Sequence, residues 1–236
     1  MFPWWWCWAP AERKGPEALV TTAALPDVCV QARPRYFIRS GQRRPFYRVP
    51  EAMLPPFSFA NTPRLQLRPL VMQEARELLL VVMASRDTLG RYMSWPREMV
   101  ELDHARRFVK MGREQWMAGR TVRLGVFERE SGLLVGNAEI DNIDGRRKQA
   151  EIGYWVRADR EGHGYASEAA HAMLRYSFEA LRMHKIRADV AVGNVASARV
   201  LEKLGFVREG TLREDRPVGD VFLDHWRYGL LAREFR

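Results

Sequence analysis

At 236 residues and 27.4 kDa the chain has room for one good-sized domain, or for one domain and an arm. With 47% hydrophobic and 28% charged residues it is neither a disordered chain nor a bundle of membrane helices. The 38 Lys and Arg against 29 Asp and Glu leave a formal charge of +9, which suits a nucleic acid and a polyphosphate cofactor equally and separates neither.

No uninterrupted apolar run reaches the roughly 18 residues that a spanning helix needs. Trp4, Trp5, Trp6 and Trp8 form an aromatic knot without the basic lead of a secretory signal, so the expected location is the cytoplasm, away from membranes. Cys7 and Cys29 are the two cysteines, with no His near either, and support neither a zinc site nor a disulfide framework.

Ten of the thirteen prolines lie in the first 63 residues, and no helical or strand period persists there. Residues 1–60 therefore read as an irregular Pro-, Trp- and Arg-rich arm, and 61–236 as the folded domain. Met53, just ahead of the first well-patterned strand, is an alternative start of translation that would cost no core.

From Arg64 onward the periods are clean. Leu65 and Leu67 alternate with Arg64, Gln66 and Arg68 as in a half-buried strand, which Pro69 stops. Amphipathic helices follow at about 72–85 and 98–117, separated by the aromatic loop Tyr92-Met93-Ser94-Trp95-Pro96. Three strands come next, at 121–130, 133–143 and 149–157, and their short connections force antiparallel pairing.

The third strand, Glu151-Ile152-Gly153-Tyr154-Trp155-Val156, leads into Glu161-Gly162-His163-Gly164-Tyr165-Ala166 and then a helix whose apolar face runs from Ala166 to Leu181. Glycines at such a strand-to-helix turn permit positive φ, so the free N–H groups of the first helical turn can converge on an anion, and a pyrophosphate is the natural guest. A Walker loop is excluded, because no Gly-Lys-Ser or Gly-Lys-Thr follows, and a dinucleotide fingerprint lacks its third glycine. A strand at 185–192 and a helix at 194–204 come next, with Asn194 as N-cap, Lys203 in the last turn and Gly205 beyond it, and then a strand from Phe206 onward.

The three segments Ala150-Glu151-Ile152-Gly153-Tyr154-Trp155-Val156, Gly162-His163-Gly164-Tyr165-Ala166-Ser167-Glu168-Ala169 and Asn194-x-x-Ser197-x-x-Val200-Leu201-Glu202-Lys203-Leu204-Gly205-Phe206 resemble, in order and spacing, the GNAT acetyltransferase superfamily. Within it the chain is most similar to the RimJ/RimL-type ribosomal-protein N-terminal acetyltransferases, over roughly residues 63–235. The resemblance implies an α/β (α+β) fold with a mixed, mostly antiparallel central sheet splayed into a V, flanking helices, acetyl-CoA as co-substrate and no metal. The pantetheine would pair with backbone of Trp155 and Val156, and amides of Gly162, His163, Gly164, Tyr165 and Ala166 would take the pyrophosphate. Asn194 would hold the pantetheine arm and Ser197 would meet the thiolate. Glu161 departs from the Gln or Arg usual there and would weaken the phosphate site, with Arg160 or Arg199 offsetting its charge.

By the same resemblance Glu151 is the first candidate for the base that deprotonates the acceptor amine, with Glu214 and Asp215 the second. Tyr92 and Trp95 are placed in the acceptor cleft. Tyr154, Trp116 and Trp226 read as core, and His104, His171, His184 and His225 as scattered residues without ligand spacing. The expected acceptor is a protein N-terminal α-amine, with ribosome association to match, on a monomer or homodimer. A polyamine or aminoglycoside acetyltransferase is the alternative, and a catalytically inactive acyl-CoA- or RNA-binding module the alternative of another class.

Overall fold

The computed structural model describes residues 60–236; the expectations for the arm and for Met53 fall outside the described residues. Two strands open the domain, β1 (Ala60–Asn61) and β2 (Leu65–Arg68), the latter with Leu65 and Leu67 buried and Gln66 and Arg68 half-buried, as its alternation requires. The predicted helix at 72–85 is a 3-10 turn (Met72–Glu74) running into α1 (Ala75–Ala84), which buries Ala75, Leu78, Val81 and Val82. Two short helices, α2 (Arg86–Leu89) and α3 (Trp95–Glu98), occupy what the sequence reads as loop, with Pro96 in the first turn of α3 where its missing N–H costs nothing. Helix α4 (Leu102–Met117) starts four residues later than its apolar period suggests, because α3 takes the residues before it.

Strands β3 (Val122–Glu128), β4 (Leu134–Asp144) and β5 (Gln149–Val156) form an antiparallel meander. Helix α5 (Tyr165–Glu179) crosses over to β6 (Lys185–Ala191), and α6 (Val195–Lys203) leads to the hairpin of β7 (Val207–Val218) and β8 (Val221–Leu231). The single strand expected after Phe206 is thus two, and β8 inserts between β6 and β7 in the eight-stranded order β1-β2-β3-β4-β5-β6-β8-β7.

All neighbours in this sheet are antiparallel except β5 and β6. Those two pair in parallel over Gln149↔Lys185, Ala150↔Ile186 and Glu151↔Arg187 and pair no further, so the sheet forks there. One face of the sheet, with Leu65, Leu124, Ile140 and Ile152, packs against Met173 and Leu174 of α5. The other, with Phe127, Leu134 and Trp155, packs against Leu78 and Val82 of α1 and Ala105 and Val109 of α4.

A charged pair lies within the second layer. Arg123 Nε stands 2.5 Å from Glu139 Oε2 on the neighbouring strand, with the two side chains 12% and 6% exposed. The Arg123 guanidinium also lies 4.6 Å from the centre of the Phe108 ring of α4. Gly153 on β5 makes room for the pair, since a Cβ there would crowd Glu139 Oε1 at 3.3 Å. Removing one member of such a pair strands the other in the core. Glu139→Ala is expected to cost about 3 kcal/mol, while Glu139→Leu combined with Arg123→Met recovers most of that loss; urea denaturation of both variants is the check.

Candidate active site

The turn ahead of α5 is built as an anion cradle. Gly162 (φ 76°) and Gly164 (φ 79°) occupy the left-handed region that a side chain would disfavour. The first main-chain bond that returns within the helix runs from Glu168 N–H to Gly164 O at 3.1 Å, so the N–H groups of Tyr165, Ala166 and Ser167 precede the ladder at the positive end of the helix dipole. His163 lies in the same turn, its Nδ1 2.8 Å from Glu161 O. Glu161 itself is exposed. Of the arginines expected to offset it, Arg160 lies 3.9 Å from Glu128 and 3.8 Å from Asp159, and Arg199 is exposed on α6.

Two carboxylates close to the cradle are held by hydrogen bonds. Glu128 accepts hydrogen bonds from the hydroxyls of Ser131 and Tyr165, which hold its carboxyl below the usual glutamate value. Glu168, in the first turn of α5, accepts from Thr62 Oγ1 (2.5 Å), Arg64 N–H (3.0 Å) and Arg64 Nε (2.7 Å). Burial pushes Glu168 up, but these bonds outweigh it and the carboxyl is held below its ordinary value. Arg64 also donates to His163 O at 2.8 Å, so the β1–β2 turn is tied both to the helix and to the cradle.

The fork supplies the next part of the site. Arg157 N–H donates to Val135 O on the β4 side, so by strand alternation Val156 and Tyr154 turn their N–H and C=O groups toward the open edge of β5. Trp155, between them, presents its backbone to β4 and buries its ring in the α1/α4 layer. Across the fork, Asn194 caps α6 by accepting from Ser197 N–H at 3.1 Å. A bond that the sequence does not announce joins the two sides: Tyr154 Oη stands 3.2 Å from both Ser197 O and Ser197 Oγ.

Glu151 sits where the fork opens, in the last β5–β6 pair and directly opposite Asp141 of β4. A bulge in β4 puts Asn142 at φ 51° and lets its Nδ2 donate to Glu151 Oε2 at 3.0 Å, while Arg187 Nη2 lies 3.2 Å from Oε1. The Glu151 side chain is 21% exposed. Glu214 and Asp215 belong to the edge strand β7, separated from β5 by β6 and β8. Glu214 is exposed at φ 48° in a bulge, its N–H bonded to Asp224, and Asp215 pairs with Arg216 at 3.1 Å. The structure thus gathers Glu151, the β5 edge and the α6 start at the fork, and leaves Glu214 apart from them.

On the same face of β6, Asp189 is 3% exposed and takes both Arg227 (2.9 Å) and Arg216 (3.1 Å). Burial raises its carboxyl, and the bonds and charge of Arg227 with the charge of Arg216 overcome that and hold it low. His225 is buried beside this cluster; burial and the Arg216 charge push its imidazole below its usual value, which leaves it neutral at pH 7. Tyr92 Oη donates to Gly193 O at 3.3 Å, beside the start of α6. Trp95 packs on Phe108 (6.1 Å between ring centres) and on Trp155 (5.8 Å), within the α1/α4 layer. Among the described residues no group of three His, Cys, Asp or Glu side chains is placed to hold a metal, and no helix is long and apolar enough to cross a membrane.

A glycine-rich turn before α5, a forked sheet with one free strand edge and a capped helix facing it are brought together at one side of the domain. Residues 64–207 match the family model described as an acetyltransferase (GNAT) domain, and the chain belongs to this family. It is an acetyl-CoA-dependent N-acetyltransferase. The ribosomal-protein-serine acetyltransferase of Escherichia coli is 22% identical over 160 residues, 68% of this chain and 88% of that protein. The spermidine N(1)-acetyltransferase of Vibrio cholerae is 31% identical over 102 residues, 43% of this chain and 59% of that protein. Among solved structures, Mycobacterium smegmatis RimJ in complex with CoA-disulfide superposes with a TM-score of 0.67 at 28% identity, covering 72% of this chain and 83% of that one.

Without Arg64 the Glu168 charge would stand uncompensated at the cradle and repel a pyrophosphate. Arg64→Ala is expected to raise the Kd of CoA about tenfold, and Glu168→Gln in that background to recover most of the affinity; isothermal titration calorimetry with CoA measures both.

Proposed function

We propose that the enzyme acetylates the α-amino group at a protein N-terminus, with a ribosomal protein as the first acceptor to test, by direct attack of the amine on the acetyl thioester. The observation that carries this reading is Glu151, held at the fork by Asn142 and Arg187. Any carboxylate is a weak base beside an amine. An α-amine, with a pKa of about 8, gives up its proton to such a base through water far more readily than a lysine amine at about 10.4. The β5 edge at Tyr154 and Val156 would hold the pantetheine and polarise the thioester carbonyl, the cradle from Gly162 to Ala166 would take the phosphates, and Asn194 and Ser197 would face the pantetheine and the departing sulfur. Tyr92 and the segment leading into Trp95 would border the acceptor. The likeness to a protein named ribosomal-protein-serine acetyltransferase supports the choice of acceptor.

A small cationic amine is the second reading, favoured by the facing pair Asp141 and Glu151 and by the partial likeness to a spermidine acetyltransferase. Radiolabelled acetyl-CoA, supplied with purified ribosomal protein and separately with a deproteinised metabolite extract, distinguishes the two. Label on a protein α-amine is expected, and label confined to small molecules would replace the first reading by the second. On the acceptor so found, Glu151→Gln is expected to lower the rate by about 10²-fold and Glu214→Gln by less than about tenfold.

A further inference from the structure

The Tyr154 hydroxyl connects the two sides of the fork. Its ring packs on the α5 side of the sheet, and its Oη reaches α6, which follows β6. Since β5 and β6 have ceased to pair at Glu151 and Arg187, this contact lies beyond the last main-chain link between them. We propose that Tyr154 is a positioning residue for acetyl transfer: it orients the Ser197 hydroxyl so that the serine proton points at the sulfur of CoA. The proposal rests on the reading of Ser197 as the group that meets the thiolate.

The geometry allows two arrangements. Tyr154 carries one hydroxyl proton, and both Ser197 O and Ser197 Oγ lie 3.2 Å from its oxygen. With that proton on Ser197 O, the tyrosine oxygen accepts the serine proton and the serine is turned from the fork. With it on Ser197 Oγ, the serine proton is released toward a ligand. A thiolate forming at the fork favours the second arrangement, because it adds a charge-assisted hydrogen bond that the first lacks.

Burial pushes the Tyr154 phenol well above its ordinary value, the Ser197 hydrogen bond opposing this in part. The tyrosine therefore stays protonated and serves as a fixed neutral donor. In the transfer step the amine nitrogen bonds to the carbonyl carbon, the C–S bond breaks and its electron pair goes to sulfur. The surplus proton of the amine leaves by way of Glu151 and water. Neither Ser197 nor Tyr154 loses a proton; both stabilise the thiolate through hydrogen bonds until solvent protonates it.

The test uses CoA itself and needs no acceptor. The thiol pKa of bound CoA is read from its ultraviolet thiolate absorbance in the wild type, Ser197→Ala, Tyr154→Phe and the double variant, with the Kd of CoA measured for each. The wild type is expected to hold the thiol ionisation constant about tenfold above that of free CoA. Ser197→Ala should abolish this gain, Tyr154→Phe should remove at least half of it with little change in Kd, and the double variant should match Ser197→Ala. A wild-type thiol in Tyr154→Phe beside a lost gain in Ser197→Ala would overturn the proposal and leave the serine reading standing. An unchanged thiol in Ser197→Ala would overturn both. Should Tyr154→Phe fail to bind CoA, 3-fluorotyrosine at position 154, a stronger donor of nearly the same shape, decides instead: a further rise in thiol ionisation supports the proposal and no change overturns it.

Discussion

Three residue pairs of parallel ladder, from Gln149↔Lys185 to Glu151↔Arg187, hold the two parts of the sheet together, and the site exists because the ladder stops there. Beyond Glu151 the β5 backbone keeps its partners on the β4 side and has an open edge on the other. An extended ligand with amide groups can occupy that edge as a strand would, which is the cheapest way to satisfy main-chain groups in a narrow opening. The glycine turn ahead of α5 follows directly from β5, so one strand supplies both an open main-chain edge and the turn that exposes the first N–H groups of the helix.

The two faces of the sheet are packed by different chemistry. On the α5 side the layer is a mixed aliphatic and aromatic core, closed chiefly by buried apolar area. On the α1/α4 side, and on the same face of β6, carboxylates recur at Glu139, Asp141, Glu151 and Asp189, and all but Asp141 meet arginine. Asp141 is buried on the hydroxyl of Thr121 instead. Charged groups held this way are fixed in place by their partners, and a carboxylate so fixed presents a defined lone pair to whatever enters the fork.

The strands and long helices are legible in the sequence where burial is one-sided: β2 alternates residue by residue, and α4 repeats Ala105, Val109, Gly112 and Trp116 at helical spacing. The β7–β8 hairpin is not, because β7 is an exposed edge strand whose register slips between Arg208 and Gly210 and between Leu212 and Arg216, which erases the period of two. α2 and α3 are four residues each, too short to show a helical repeat. The glycine cradle and the Asn194 cap are read from local sequence because both are local devices. The partners of Glu151, at positions 142 and 187, and the bond from Tyr154 to residue 197 depend on which strands become neighbours, and no spacing along the chain encodes that. Trp95 illustrates the converse, an aromatic in a loop-like sequence that the structure uses to pack against Trp155.

The crossover through α5 also sets an order of assembly. The β3–β4–β5 meander and the β7–β8 hairpin are each built from strands adjacent along the chain, so their ends meet after short loop closures. The β5–β6 ladder joins residues 36 positions apart with only three pairs to reward the closure, and β8 must return between β6 and β7 to complete its half. On loop-closure grounds the fork is expected to be the last joint to gain stability as the chain folds and the first to yield when it opens, so the open edge of β5 lies at the seam between the two parts of the sheet.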